Sequence, residues 1–463
     1  MKPFIDANKI DLLLKKTMDA PKTAARSIIN ASLRLKGLAP EEVAILLNLN
    51  DRETINNLFS VAKKVKEIIY GKRLVIFAPL YITNFCVNNC LYCGFRCANK
   101  ELKRKRLTIK EIKEEVIILE KQGHKRILLE AGEDPLASRI DHLEKVIPAI
   151  YATKSGNGEI RRLNVNVAAM SVPHFKRLKK LKIGTYQLFQ ETYHPGMYKK
   201  MHLSGPKSDY IYHLYAMHRA MEGGIDDCGI GALFGLADHR FEVLAMLYHA
   251  LELEKEFGVG PHTISVPRIE PAGNTPLTSH IPHPVSDLEF KKLVAILRLA
   301  VPYTGLILST RESAKMRNEV IGLGISQISA GSSTVPGGYK RSLNKKKVSG
   351  QFSINDNRSL KDVIKDISKM GYSPSFCTAC YRLGRVGKDF MDLAKPGLIG
   401  RYCLPNSLLT FKEYLMDYAD DGLKKLGYQV IASHLKDIKD NRVKENTTKK
   451  LQDIEAGKRD LYF

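Results

Sequence analysis

The chain has 463 residues, 44% of them hydrophobic and 26% charged, a composition that supports a large globular core and excludes a disordered or collagen-like polymer. No run approaches the roughly 18 apolar residues of a membrane span. The opening MKPFIDANKIDLLLKK carries acids in its apolar stretch and no small-residue cleavage site, so no signal peptide and a cytoplasmic setting are expected.

Residues 1–72 read as a helical segment: APEEVAILLNL begins with Pro40 in a first-turn position, and DRETINNLFSVAKKVKEIIYG is amphipathic and stops at Gly71. From residue 74 the pattern changes to short apolar segments alternating with amphipathic helices. Eight strands are expected, at 74–83, 126–132, 162–168, 185–192, 228–235, 262–270, 305–310 and 325–331. Eight strand–helix units in about 250 residues match a (β/α)8 barrel, so the fold class is α/β, a TIM barrel over 73–340. Residues 341–463 form a C-terminal helical extension, with helices expected at SLKDVIKDISKMG, at TFKEYLMDYADDG and in the lysine-rich end.

Polar and glycine residues gather where strands end: Cys86 after the first, Ala131-Gly132-Glu133 after the second, Glu191 to His194 after the fourth and Ser309 to Glu312 after the seventh. The carboxyl ends of barrel strands form the mouth where ligands bind. The net charge of +24 raises nucleic acid as a partner, but the basic runs (100–106, Lys176 to Lys182, Lys340 to Lys347) are short and carry no interleaved aromatics. That is the pattern of solvated faces, not of a stacking platform, and docking to an acidic protein stays open.

Seven of the eight cysteines fall in two groups, in a chain with no sign of secretion, which points to metal and not to cross-links. Cys86-x3-Cys90-x2-Cys93 supplies three thiolates; on a four-iron cubane these leave one iron open to an exchangeable ligand. The competing reading is zinc with Cys97 as fourth ligand, against which the spacing and the position after the first strand both speak. Cys377-x2-Cys380-x22-Cys403 is a second triad that fits either a cluster or zinc. Cys97 and Cys228 read as ordinary small residues.

The first triad, with Tyr92 before its last cysteine, resembles the signature of radical S-adenosylmethionine (SAM) enzymes. The resemblance implies a SAM-binding [4Fe–4S] cluster on Cys86, Cys90 and Cys93, Tyr92 against the adenine, Ala131-Gly132-Glu133 at the methionine amine with Ala in place of the family's first Gly, and Gly231-Ala232-Leu233 beside the nucleoside. QLFQETYH, HTISVPRIEP, LSTRES and ISAGSSTVPGGY are similar to the tyrosine lyases of that superfamily. The tail SFCTACYRLGRVGKDFMDLAKPGLIGRYC resembles the tyrosine-cleaving [FeFe]-hydrogenase maturases and not the thiazole-forming 2-iminoacetate synthases.

This likeness implies cleavage of tyrosine to p-cresol and dehydroglycine. Carbon monoxide and cyanide then form at an auxiliary [4Fe–4S] cluster with an extra iron, held by Cys377, Cys380, Cys403 and His262. Arg311 is the candidate for the tyrosine carboxylate, with a structural pair to Glu312 or Glu270 as the alternative; Glu191 and His194 are candidates to hold ribose or substrate. Implied partners are tyrosine, an electron donor and other hydrogenase maturation proteins, with no membrane and no nucleic acid. The competing functions are a 2-iminoacetate synthase and an RNA-binding or RNA-modifying metalloprotein.

Overall fold

All eight expected strands are present in the computed structural model, which describes residues 2–278, 280–343 and 350–463. They are β1 (Arg73–Thr83), β2 (Arg126–Ala131), β3 (Arg162–Asn166), β4 (Tyr186–Gln187), β5 (Cys228–Gly231), β6 (Thr263–Ser265), β7 (Gly305–Leu308) and β8 (Gln327–Ser329). Each pairs in parallel with the next, and β8 closes on β1 with Val75 opposite Gln327. The result is a (β/α)8 barrel whose outer faces are covered by helices such as Ile109–Lys121, His239–Phe257 and Asp287–Ala300. Most strands are shorter than the apolar runs suggested. In β6 the reason is local: Pro267 has no N–H to donate and ends the ladder.

The N-terminal helices fold as the sequence indicates. The helix Arg52–Tyr70 is opened by the Asp51 carboxylate, which accepts from Thr54 N, and closed at Gly71, whose φ of +64° suits a residue without Cβ. Its buried stripe, with Leu58, Val65 and Ile69, packs against the barrel helix Asp287–Ala300.

β1 is longer than its neighbours and its two halves have different partners. Ala78 to Thr83 pair with β2, whereas Arg73 to Val75 pair with a ninth strand, β9 (Ser373–Ser375). Three residues with a central proline carry no alternation that the sequence could reveal. β9 brings the extension under the amino-terminal end of the barrel, two residues before Cys377. The helix expected at TFKEYLMDYADDG starts much earlier, at Gly400, and contains both Cys403 and Pro405. Pro405 marks a helix break in sequence, but the burial of Leu408, Leu409, Phe411 and Leu415 outweighs the lost hydrogen bond.

The basic runs are dispersed. Arg177 pairs with Asp141 and Glu144, and Lys179 with Asp226; Asn344 to Ser349, in the last run, lie outside the described residues. Among the described residues no helix is long and apolar enough to cross a membrane.

Candidate functional site

The loop after β1 is a rigid cradle. Arg104 donates to the carbonyls of Asn84, Phe95, Arg96 and Asn99, and the Asn84 amide bridges Lys103 O and Lys105 N. Asn88 ties it to its neighbours, donating to Glu133 Oε2 at 2.6 Å and accepting from Lys207 N at 2.9 Å. A Cβ on Gly132 would stand 2.3 Å from Phe85 O, so only glycine lets β2's end approach the cysteine loop this closely.

Cys86, Cys90 and Cys93 line one end of a cavity of about 180 Å³ that runs into the barrel mouth. Burial pushes the Cys93 thiol up to about 11, with the Cys86 sulfur adding to it, so a metal that takes these sulfurs must displace their protons. Three thiols on one loop fit a cubane cluster, which takes one thiolate per iron and leaves its fourth iron open.

Several expected residues meet in this cavity. Tyr92, Ala131, Gly132, Glu133, Glu191 and Arg311 all line it. Tyr92 is buried and its hydroxyl bonds His202 Nε2 at 2.8 Å. Glu191 has φ +67°, a left-handed conformation that costs of order 1 kcal/mol and is held only where surroundings impose it. Its carboxylate accepts from Lys207 Nζ at 2.8 Å. The Arg311 guanidinium lies 3.3 Å over the Phe352 ring and is in no ion pair among the described residues. Glu312 is taken by Arg268 at 2.8 Å, so the Arg311–Glu312 alternative is not formed. Burial lowers the Arg311 pKa, opposed by Tyr81 and Glu191.

Others sit apart. Gly231, Ala232 and Leu233 lie behind the lining, where Leu233 packs in an apolar cluster with Cys90 and Tyr92. His194 is the N-cap of the helix Pro195–Met201, its Nδ1 accepting from Met197 N at 3.3 Å. Cys228 is a buried residue of β5.

Three cavity residues escaped the sequence reading. Lys207 is half-buried; burial opposes its charge, but Glu191 and the cysteine sulfurs outweigh this and raise its pKa. Burial brings Glu130 up to about 8, with Arg311 working against the rise. His213 Nε2 donates to Phe189 O at 3.0 Å. The one signal was for Glu130, an acid in the otherwise apolar run RILLEAG.

A second cavity of about 60 Å³ opens at the other end of the barrel, lined by Cys377, Cys380 and Cys403 with Arg73, Arg126, His262 and Tyr381. β9 delivers Cys377, and Cys403 lies in the first turns of the helix Gly400–Tyr418. Burial and the neighbouring cysteine sulfurs push the Cys380 thiol up to about 12. His262 stands just before β6 with its Nδ1 3.3 Å from Asp227 Oδ1.

The two cavities use alternate residues of the same strands. Val75, Arg126 and Gly305 line the lower one; Phe77, Leu128 and Ile307 line the upper one and form a small apolar cluster between them. The barrel interior is thus two chambers separated by one layer of side chains.

A parallel barrel with three thiols on its first loop, facing an enclosed mouth, defines an enzyme that carries a metal cluster where its substrate binds. The chain belongs to the radical SAM superfamily, whose SAM-binding [4Fe–4S] cluster and SAM come with membership. The radical SAM superfamily description matches residues 80–247, and the Biotin and Thiamin Synthesis associated domain matches 265–373. The chain is 32% identical to the 2-iminoacetate synthase of Salmonella typhimurium, over 76% of this chain and 90% of that one. It is similar to a crystal structure of HydG, a maturase of the [FeFe]-hydrogenase, at 55% identity and a TM-score of 0.96, covering 99% of this chain and 100% of that one. HydG of Carboxydothermus hydrogenoformans is 43% identical with a TM-score of 0.84, over 96% of this chain and 97% of that one.

Proposed function

We propose that this chain is a tyrosine lyase of [FeFe]-hydrogenase maturation. In the upper chamber tyrosine is divided at its Cα–Cβ bond into p-cresol and dehydroglycine, and in the lower chamber dehydroglycine becomes carbon monoxide, cyanide and water. When bound, the upper cluster with SAM supplies the carbon radical that starts the reaction, and a second cluster on Cys377, Cys380 and Cys403 supplies the iron that collects the two diatomic products.

The observation that carries this reading is the second cysteine triad, set with His262 at the far end of the same barrel. The likeness to the HydG structures extends over nearly the whole chain, tail included, whereas the synthase match covers 76% of it.

The residues divide the work. Arg311, backed by Phe352, holds the tyrosine carboxylate as a planar fork. Lys207 and Glu191 brace each other across the mouth and fix the loop that faces Cys90. Tyr92, Gly132 and Glu133 bound the SAM side, while His194 supports the site by capping the helix behind it. His262, beside Asp227, offers its imidazole as an iron ligand in the lower chamber. The apolar layer of Phe77, Leu128 and Ile307 separates the two chambers, and dehydroglycine must pass it to reach the lower one.

Anaerobic turnover of the iron- and sulfide-reconstituted chain with SAM, tyrosine and a reductant, with p-cresol and carbon monoxide assayed together, tests the proposal. Both products are expected, and Cys377→Ser is expected to keep p-cresol and lose carbon monoxide. Wild-type cresol without carbon monoxide would instead assign a 2-iminoacetate synthase activity, and neither product would refute a tyrosine lyase.

A further inference from the structure

The lower chamber is cationic. The permanent charges in its lining are Arg73 and Arg126, and no aspartate or glutamate joins them among the described residues. Arg73 opens β1 and Arg126 opens β2, and they are only 8% and 7% exposed. Among the described residues neither is in an ion pair, and Arg73 Nε and Nη1 are buried with no hydrogen-bond partner. Asp227 stands outside the lining, 3.3 Å from His262 Nδ1 and accepting from Gly387 N at 3.1 Å. Buried cations are costly without a counter-charge, so both arginines call for anions inside the chamber.

The two guanidinium groups face different things. Burial opposes the charge of Arg73, but the Cys403 sulfur, Tyr70 and the Cys377 sulfur outweigh it and raise its pKa, which puts this group at the metal. Three thiolates on a doubly positive core, iron cubane or zinc alike, leave one negative charge, and Arg73 balances it. Arg126 is the surplus cation. It donates Nη1 to Cys377 O at 2.6 Å and stands 5.9 Å from the centre of the Tyr381 ring. That ring is held in place by Arg162, 3.9 Å over it, and by Thr185 Oγ1, 3.0 Å from its hydroxyl. Along β2, Arg126 lies two residues, about 6.6 Å, below Leu128, which belongs to the layer between the chambers. A molecule that crosses the layer beside Leu128 meets Arg126 next.

The molecule that has to cross is small and anionic: dehydroglycine, an imine with one carboxylate. We infer that Arg126 is the carboxylate-binding residue of the lower chamber, its guanidinium taking dehydroglycine as a planar fork and holding it beside the second cysteine triad. This inference deepens the two-chamber reading and rests on it. One surplus cation matches one carboxylate, and a guanidinium fork fits that planar group where an ammonium offers only a point charge. Dehydroglycine that is not held is hydrolysed: one water turns the imine into glyoxylate and ammonia. The competing role, in which Arg126 only braces the cysteine loop, uses Nη1 alone and leaves the rest of the fork for a ligand.

The test is anaerobic turnover of the iron- and sulfide-reconstituted full-length chain, as wild type, Arg126→Gln and Arg126→Lys, with p-cresol, carbon monoxide and glyoxylate assayed together. In Arg126→Gln carbon monoxide per p-cresol is expected to fall about tenfold or more, with glyoxylate rising by the missing amount. Arg126→Lys, which keeps the charge and loses the fork, is expected to fall between the two. A second readout needs no turnover. Oxamate, a stable carboxylate of similar size, is titrated against the reduced protein while the auxiliary-cluster EPR signal, identified by its loss in Cys377→Ser, is followed. Oxamate is expected to shift that signal in wild type and to need about tenfold or more higher concentration in Arg126→Gln. A wild-type ratio of carbon monoxide to p-cresol in Arg126→Gln would overturn the proposal, as would equal oxamate titrations or no shift in wild type. An auxiliary signal missing from both variants would also overturn it, leaving Arg126 a brace of the cysteine loop. Wild type that makes p-cresol without carbon monoxide would refute the two-chamber reading itself, and the oxamate titration then judges Arg126 separately.

Discussion

Glu413 fastens the extension to the barrel. It lies in the helix Gly400–Tyr418 and accepts from Arg161 Nη1 at 3.0 Å, with Lys125 Nζ at 2.9 Å. Arg161 and Lys125 sit just before β3 and β2, at the amino-terminal end of the barrel, and the three side chains are 3%, 4% and 2% exposed for Arg161, Lys125 and Glu413. Burial opposes the charge of Glu413, but Arg161 and Lys125 overcome it and bring its pKa from 4.5 to about 2.

At 1.36 kcal/mol per tenfold change in proton affinity, that depression is worth about 3 kcal/mol at neutral pH. Removing one partner of a buried ion pair independently suggests about 3–5 kcal/mol. Glu413→Gln is therefore expected to lower unfolding free energy by about 3 kcal/mol at pH 7, measured by urea denaturation of the cluster-free chain. The sign follows from a depressed carboxyl: its stabilisation is complete above the unfolded pKa and is lost as pH falls toward the folded one. The wild-type advantage should thus shrink to less than half by pH 3. Because the same helix carries Cys403, the reconstituted variant should retain less iron after gel filtration, approaching Cys403→Ser, while the upper cluster persists. A loss below about 1 kcal/mol, or an equal loss at both pH values, would refute the reasoning.

Arg311→Lys exchanges a planar fork for a point charge and should raise the tyrosine KM by about 10- to 100-fold, from roughly 1.5–3 kcal/mol of lost charge-assisted bonding, with the cluster absorbance unchanged. Leu128→Trp fills the layer between the chambers; p-cresol formation should persist while carbon monoxide falls by about tenfold, and an equal loss of both would show that the layer is not a passage. Glu130, raised to about 8 by burial, is neutral at pH 7 and ionises above pH 8, placing a negative charge near Arg311. The tyrosine KM should therefore rise above pH 8 in wild type and stay flat in Glu130→Gln, measured by initial rates of p-cresol release.

The sequence by itself determined the barrel, because eight apolar runs separated by amphipathic helices have one economical closed solution. It also marked both cysteine triads, since cluster ligands come at short, fixed spacings that need no tertiary knowledge. It could not reveal β9, whose three residues carry no period, nor the start of the helix that holds Cys403, where Pro405 signals a break that buried packing overrides. The inner chamber was legible only in part. Arg311 and Glu191 stood out at strand ends, but Lys207 comes from a loop thirteen residues beyond His194, and which residues of a strand face inward depends on the register of a closed barrel. Only the tertiary structure decided that Arg311 is in no ion pair among the described residues and that His194 turns away to cap a helix. It also placed the two triads at opposite ends of one interior, because it takes the whole length of β1 to bring Arg73 beneath the barrel and Cys86 to its mouth.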